Sequence, residues 1–306
     1  MRRLIFIGLC LLVGTLVLSG CANQTNWREY FTVSSTQLAA VEKQPQPKMD
    51  VYVPLLDQFA NSKHAVALAT LNGNPGHKPS CYNCHSAQYR LAPVNAKPAI
   101  QQLNTSITCI VCHQLTPSGF SLKKSPLATC VQCHTAGSIV AGGEVNHPQK
   151  EMFEGEGAIG VPNEPSRKFQ AGLSCVECHM PNDSHTFVAL TPAEAMHQQV
   201  GDACMMCHTK LSPTEFAQQV TALQQRISSQ SNKLQQQLKQ CDAEISSAQK
   251  SGKDISAAEQ LYKVAYTDVA FVVGDGSKGI HNINYAQNIL NFAQSQLDKA
   301  EKLLGK

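Results

Sequence analysis

The sequence predicts a mainly α protein in which a segment with little regular structure, built from short helical turns and loops, is followed by a hairpin of long helices. Three observations predict this. Five C-x-x-C-H motifs crowd the stretch from Cys81 to His208. The segments between them, such as Asn72 to Pro79 and Ala141 to Pro165, are rich in Gly and Pro and read as loops. Beyond Thr209 the apolar residues Phe216, Val220, Leu223, Ile227, Leu234, Leu238, Cys241 and Ile245 recur at steps of 3, 4 or 7, the stripe of an amphipathic helix.

The motifs are Cys81-Tyr82-Asn83-Cys84-His85, Cys109-Ile110-Val111-Cys112-His113, Cys130-Val131-Gln132-Cys133-His134, Cys175-Val176-Glu177-Cys178-His179 and Cys204-Met205-Met206-Cys207-His208. Two thiols three positions apart reach the two vinyl groups of one porphyrin, and the following imidazole lands under the iron. Zinc sites also use C-x-x-C, but they need four ligands per metal and have no reason to place His after every second Cys. Redox dithiols come singly and near βαβ patterns. The expectation is therefore five covalently bound haem c groups, attached through Cys81, Cys84, Cys109, Cys112, Cys130, Cys133, Cys175, Cys178, Cys204 and Cys207. His85, His113, His134, His179 and His208 would be the proximal ligands.

About 26 residues serve each porphyrin, too few to build a separate peptide core around it, so the macrocycles themselves must supply most of the buried apolar surface. The fold class expected is thus a mainly α multihaem cytochrome c with little regular structure around the haems. Six histidines lie outside the motifs, His64, His77, His147, His185, His197 and His281, and most fall in the haem-bearing region. They are the candidates for the second axial position. Met152, Met180 and Met196 are weaker candidates that would raise a potential.

The N-terminus runs Met1, Arg2, Arg3, then an apolar stretch to Leu18, which reads as a signal segment too short to span a bilayer. Leu18-Ser19-Gly20-Cys21 resembles a lipobox, with Cys21 as the lipidated residue, and Ala22 after it suits sorting to the outer membrane. The expected division is a signal peptide (1–20), a lipidated flexible tether (21–49), a pentahaem domain (50–210) and a C-terminal helical domain (211–306). Thirteen cysteines leave only Cys241 unassigned once Cys10, Cys21 and the motif pairs are set aside, and its place on the apolar stripe marks it as a small buried hydrophobe. The formal charge of +3 falls to about −9 once the two arginines are removed and ten propionates added. Nothing points to nucleic acid. Expected partners are redox proteins and, through the lipid, the membrane of a bacterial envelope.

Ser212, Pro213, Thr214 and Glu215 form a capping box with Pro at the first helical position. The helix they open should run to Gly252, followed by helices over about 256–273 and 284–304. These would pack on the haem domain, and the Gln-rich first helix could also form a homodimer surface. His281 falls in the Gly-rich break between the second and third helices, where a loop can turn its imidazole toward a haem.

Several segments resemble the superfamily of pentahaem cytochrome c nitrite reductases and relatives such as hydroxylamine oxidoreductase. Cys175 to Pro181 resembles the family's fourth haem site, with His185 following it. Cys204 to Thr209 resembles the fifth, which also precedes long helices. Gly279-Ile280-His281 before Tyr285 resembles the late ligand segment, and Lys63-His64-Ala65 the early one. The resemblance covers most of residues 60–304. It implies His64 as ligand to the third haem, His185 to the second and His281 to the fourth. Position alone suggests His197 for the fifth, leaving His77 and His147 for the first.

The catalytic groups of that family are mostly unmatched. His85 stands where the reductases place a lysine, Gly137 stands where they place a tyrosine, and no arginine before Cys81 fits. His147-Pro148 does resemble the catalytic His-Pro, so His147 is the one candidate catalytic residue. A haem with two tight imidazoles moves electrons and does little else. The sequence therefore favours electron transfer in an envelope respiratory chain. The alternatives are reduction of nitrite or a related oxyanion at haem one, and stacking of copies or partners into a longer conductor.

Overall fold

The computed structural model describes residues 52–305 apart from Ser118. The signal segment, Cys21 and the tether lie outside the described residues. The described chain is mainly helical and forms two compact units, one of residues up to Thr129 with His179–Val188, the other of Cys130–Cys178 with Ala189–Lys306. The chain passes between them inside the fourth motif, so the helical region shares its unit with the third and fifth motifs.

The first unit consists of short elements. They are α1 (Tyr52–Ala60), α2 (Ala67–Asn72), α3 (Tyr82–His85), α4 (Ala87–Leu91), α5 (Cys109–Cys112) and an antiparallel hairpin of β1 (His113–Thr116) and β2 (Gly119–Leu122). Helix α6 (Pro126–Cys130, whose last residue belongs to the second unit) closes its first stretch of chain. Ser86 caps α4 by accepting from the Tyr89 amide at 3.3 Å. Burial here is sparse: one cluster holds Leu68, Leu71, Tyr82 and Leu103, another only Ala87, Ile107 and Val111. On the hairpin, Leu115 and Phe120 remain 62% and 51% exposed, apolar area that this unit's peptide does not cover.

The second unit begins with α7 (Gln149–Glu154), α8 (Arg167–Gln170), α9 (Val176–His179, whose last residue belongs to the first unit) and α10 (Pro192–Gln198). It continues into α11 (Pro213–Lys250), α12 (Ser256–Asp275) and α13 (Ile283–Leu304). The capping box forms as its residues dictate: Ser212 Oγ accepts from the Glu215 amide at 3.3 Å, and Glu215 Oε2 accepts from the Ser212 amide at 3.0 Å. At 38 residues α11 is about 57 Å long. Its stripe of Ile227, Leu234, Leu238, Cys241 and Ile245 meets Val269, Phe271 and Val272 of α12 and Tyr285, Ile289, Leu290 and Leu297 of α13 in one continuous core. Cys241 is fully buried there. Among the described residues no helix is long and apolar enough to cross a membrane.

The Gly- and Pro-rich loop before α8 is fastened to these helices by polar side chains they bury. Thr267 Oγ1 accepts from the Gly142 amide (2.8 Å), Asp268 Oδ1 from Ile159 (2.8 Å) and Tyr285 Oη from Ala158 (2.9 Å). Asn282 Nδ2 donates to the Glu164 carbonyl at 2.6 Å. Gly155 closes the loop: its φ is +71°, and a Cβ there would sit 1.9 Å from the Glu164 carbonyl oxygen, so only glycine fits.

Burial pushes the Asp268 carboxyl up to about 7 from its ordinary 3.8, against the lowering effect of the Ile159 bond. The folded state thus holds a proton that the unfolded chain releases between those values, and stability falls as pH rises through that window. Asp268→Asn should melt with the parent at pH 4 and be more stable by about 1–3 kcal/mol at pH 8. Thermal melts across that range check this, and parallel pH profiles for the two proteins would contradict it.

Candidate haem-binding centres

Each motif sits on a single helical turn: α3, α5, the end of α6, α9 and a 3-10 turn at Cys204–Met206. In one turn, residues three apart share a face, so both thiols of a pair project together. The motif cysteines are half-buried, and Cys207 is exposed. Among the described residues no three His, Cys, Asp or Glu side chains converge as a zinc site requires.

Two histidine pairs have a spacing that suits two ligands of one iron. The His113 and His185 rings lie 6.1 Å apart and nearly parallel at 27°; the His134 and His147 rings lie 6.1 Å apart and nearly perpendicular at 85°. Imidazoles on opposite faces of one iron, each with a metal–nitrogen bond of about 2 Å, place their centroids about 6 Å apart. Burial, then the neighbouring His185 imidazole, lowers the His113 pKa.

The opposite ring nitrogens are also arranged for ligation. His85 Nδ1 donates to the Ala67 carbonyl at 2.9 Å, His179 Nδ1 to Phe187 at 3.1 Å and His185 Nδ1 to Asp183 at 2.8 Å. His134 Nδ1 faces Gln149 Oε1 at 3.4 Å. A neutral imidazole that donates from Nδ1 offers the lone pair of Nε2, the arrangement that metal-bound histidines adopt. The residues present therefore fit haem ligation.

The remaining candidates fall as follows. His64 packs edge-on against Phe187, with ring centroids 4.5 Å apart. Burial lowers its pKa, as do the nearby imidazoles of His179 and His85. Its neighbours thus include the fourth and first motif histidines. His77 has both nitrogens engaged by protein: Nδ1 donates to the Asn74 carbonyl at 2.6 Å, so Nε2 accepts from the Tyr82 hydroxyl at 2.9 Å. His197 is exposed on α10, and His208 is exposed and stacked on Phe216 at 4.6 Å. Met152 is fully buried in the core of the second unit, Met180 is half-buried and Met196 is exposed.

Within the second unit the attachment points run together. The Cys130 and Cys175 thiols are hydrogen-bonded, which brings Cys175 down to about 7 before attachment. Cys178 and Cys204 both feel the ammonium of Lys168, itself lowered by burial. Lys168 Nζ donates to the Ile280 carbonyl at 2.7 Å. The next residue, His281, bonds through Nδ1 to Asp275 Oδ1 at 2.5 Å. Burial depresses the His281 pKa, but the carboxylate outweighs it and the net direction is upward.

The third motif is braced by α7. Gln149 Nε2 donates to the Gly274 and Asp275 carbonyls at 3.1 and 3.2 Å, while Glu151 accepts from the Ala136 and Gly137 amides and the Thr135 hydroxyl. Sequence reasoning missed Asp275, Gln149, Glu151 and Lys168. The only signal for Asp275 was an acidic residue in the same Gly-rich break that carries His281.

Fold and site together define a c-type cytochrome that carries covalent haem. The chain belongs to the cytochrome c552 family, whose model matches residues 138–306, more than half of its length. Among solved structures it is similar to the outer cell wall cytochrome OcwA, with 33% identity and a TM-score of 0.64, over 78% of this chain and 49% of that one. It is also similar to an undecahaem cytochrome from the S-layer of Carboxydothermus ferrireducens, with 26% identity and a TM-score of 0.59, over 78% and 40%. The cytochrome c nitrite reductase of Desulfovibrio desulfuricans shares the fold at 17% identity and a TM-score of 0.57, over 79% and 70%. This chain spans less than half the length of each of the first two. No curated protein matches the sequence significantly.

Replacing Cys109 and Cys112 together by alanine should lower the mass of the mature protein by one haem beyond the side-chain change, with the other attachments kept. Mass spectrometry with a haemochrome assay checks this, and an unchanged haem-to-protein ratio would contradict it.

Proposed function

We propose that this chain is a pentahaem electron-transfer protein of the bacterial envelope, with every iron closed by two imidazoles. A haem so ligated exchanges one electron between ferric and ferrous iron. The polypeptide supplies the ligands, sets their orientation and keeps water from the iron. His64 takes the first haem, His185 the second, His147 the third, His281 the haem carried by Cys175 and Cys178, and His197 the fifth. This uses the non-motif histidines except His77, whose ring nitrogens Asn74 and Tyr82 already occupy.

The pairing of His147 with His134 at 6.1 Å carries the reading. His147 is the one residue resembling a catalytic group of the nitrite reductases, and its position suits a distal ligand to the third haem rather than a proton donor at the first. His85 in the first motif donates Nδ1 to a backbone carbonyl in the manner of an ordinary proximal ligand. The likeness to the nitrite reductase, at 17% identity, bears on fold alone.

The similar cytochromes of an outer cell wall and an S-layer support an extracytoplasmic site. Cys21 would supply a lipid anchor, with the outer membrane as destination. The fifth motif, with Cys207 and His208 exposed, is the natural point of exchange with a redox partner protein. The long C-terminal helices are the surface proposed for a homodimer.

Low-temperature EPR of the oxidised protein tests the proposal. All haems should be low-spin, and His147→Gly should convert about one-fifth of the haem to high-spin iron. A high-spin haem of that proportion in the parent, or a His147→Gly spectrum identical to it, would overturn the assignment.

A further inference from the structure

The histidines differ in what backs them. The bonds that His85, His134, His179 and His185 make through Nδ1 end on neutral carbonyl or amide oxygens. That of His281 ends on the carboxylate of Asp275 at 2.5 Å. This carboxylate is held firmly: its side chain is 1% exposed, and its second oxygen accepts from the Ser277 amide at 3.3 Å and from the Ser277 hydroxyl. Ser277 Oγ in turn accepts from the His281 amide at 3.1 Å, so acid, serine and imidazole form one closed turn. Gln149 fixes the Asp275 carbonyl from one side, and Lys168 fixes the Ile280 carbonyl from the other.

We propose that Asp275 is a positioning residue that lowers the reduction potential of the haem on Cys175 and Cys178 by acting through its ligand His281, an inference that rests on the ligand assignment above. A carboxylate on the outer nitrogen draws the Nδ1 proton toward itself and gives the ring imidazolate character. The ring then donates more strongly to iron and favours the ferric state, which carries one more positive charge than the ferrous. In a buried site this acts with little screening. Ligands backed by carbonyls lack the effect, so the haems of this chain are not isopotential. The haem beside His281 is the low step between the third and fifth, which gates the current passing between them.

Spectroelectrochemical titration of the full holoprotein, with EPR and haem counting on the same samples, tests this. Asp275→Asn keeps the size and one acceptor oxygen of the side chain but removes the charge. One of the resolved potentials should rise by about 59 mV, a fall of about tenfold in the ferric-to-ferrous ratio at a fixed ambient potential, with the low-spin spectrum and haem count unchanged. Asp275→Glu should restore part of the shift. Ser277→Ala strips a donor from the carboxylate and should move the same potential downward, which keeps the test open should Asp275→Asn fail to mature. His281→Gly separates the two layers of the proposal. A high-spin haem in that variant together with unmoved potentials in Asp275→Asn and Ser277→Ala would overturn the role of Asp275 alone. No high-spin haem in His281→Gly would overturn the ligand assignment beneath it.

Discussion

An iron held between two imidazoles would fix the distance between their rings, and two histidine pairs of this fold stand at that distance. The His113–His185 and His134–His147 pairs both stand 6.1 Å apart, although their ring planes differ by 27° and 85°. Distance is conserved between the pairs while angle is free, as expected when the constraint is bond length along one axis. The backbone meets it with one-turn helices that aim two thiols and an imidazole together. Nδ1 contacts such as His85 to Ala67 and His179 to Phe187 then lock the ring. His147 reaches its place through a left-handed backbone at φ 55°, a conformation that costs energy and survives where its surroundings determine it.

Polypeptide core and cofactor divide the burial between them. The helices α11, α12 and α13 carry a continuous interior around Leu234, Phe271, Tyr285 and Leu297. The first unit has only small clusters around Tyr82 and Val111 and leaves Leu115 and Phe120 outside. Covalent porphyrin faces supply the apolar surface such a segment lacks. The helices also serve as the support on which Thr267, Asp268, Tyr285 and Asn282 hold the loop that leads to the fourth motif.

Features governed by local chemistry were legible in the sequence. Ser212, Pro213 and Glu215 start α11 where the capping box places it, and the stripe through Cys241 is the buried face. The motifs announce covalent haem because thiol spacing and the following imidazole are set within a single turn. Features governed by long-range pairing were not legible. Spacing cannot tell that His147 stands beside His134, nor that Tyr82 occupies the His77 ring, because both depend on how loops return. The β1–β2 hairpin was missed because strands of four residues carry too little alternation to register. Asp275 was missed because a carboxylate six residues before a histidine has no signature until a turn brings them to 2.5 Å.

Under the proposed ligation, paired imidazoles at each iron would make the chain a conductor, and an iron with an open face would make it an enzyme. Near-infrared magnetic circular dichroism of the oxidised holoprotein, scaled to protein concentration, counts irons by their axial ligands. The account predicts five bis-histidine bands' worth of intensity per chain, with no histidine–methionine and no high-spin component. Intensity for fewer bis-histidine haems than haems attached would contradict it.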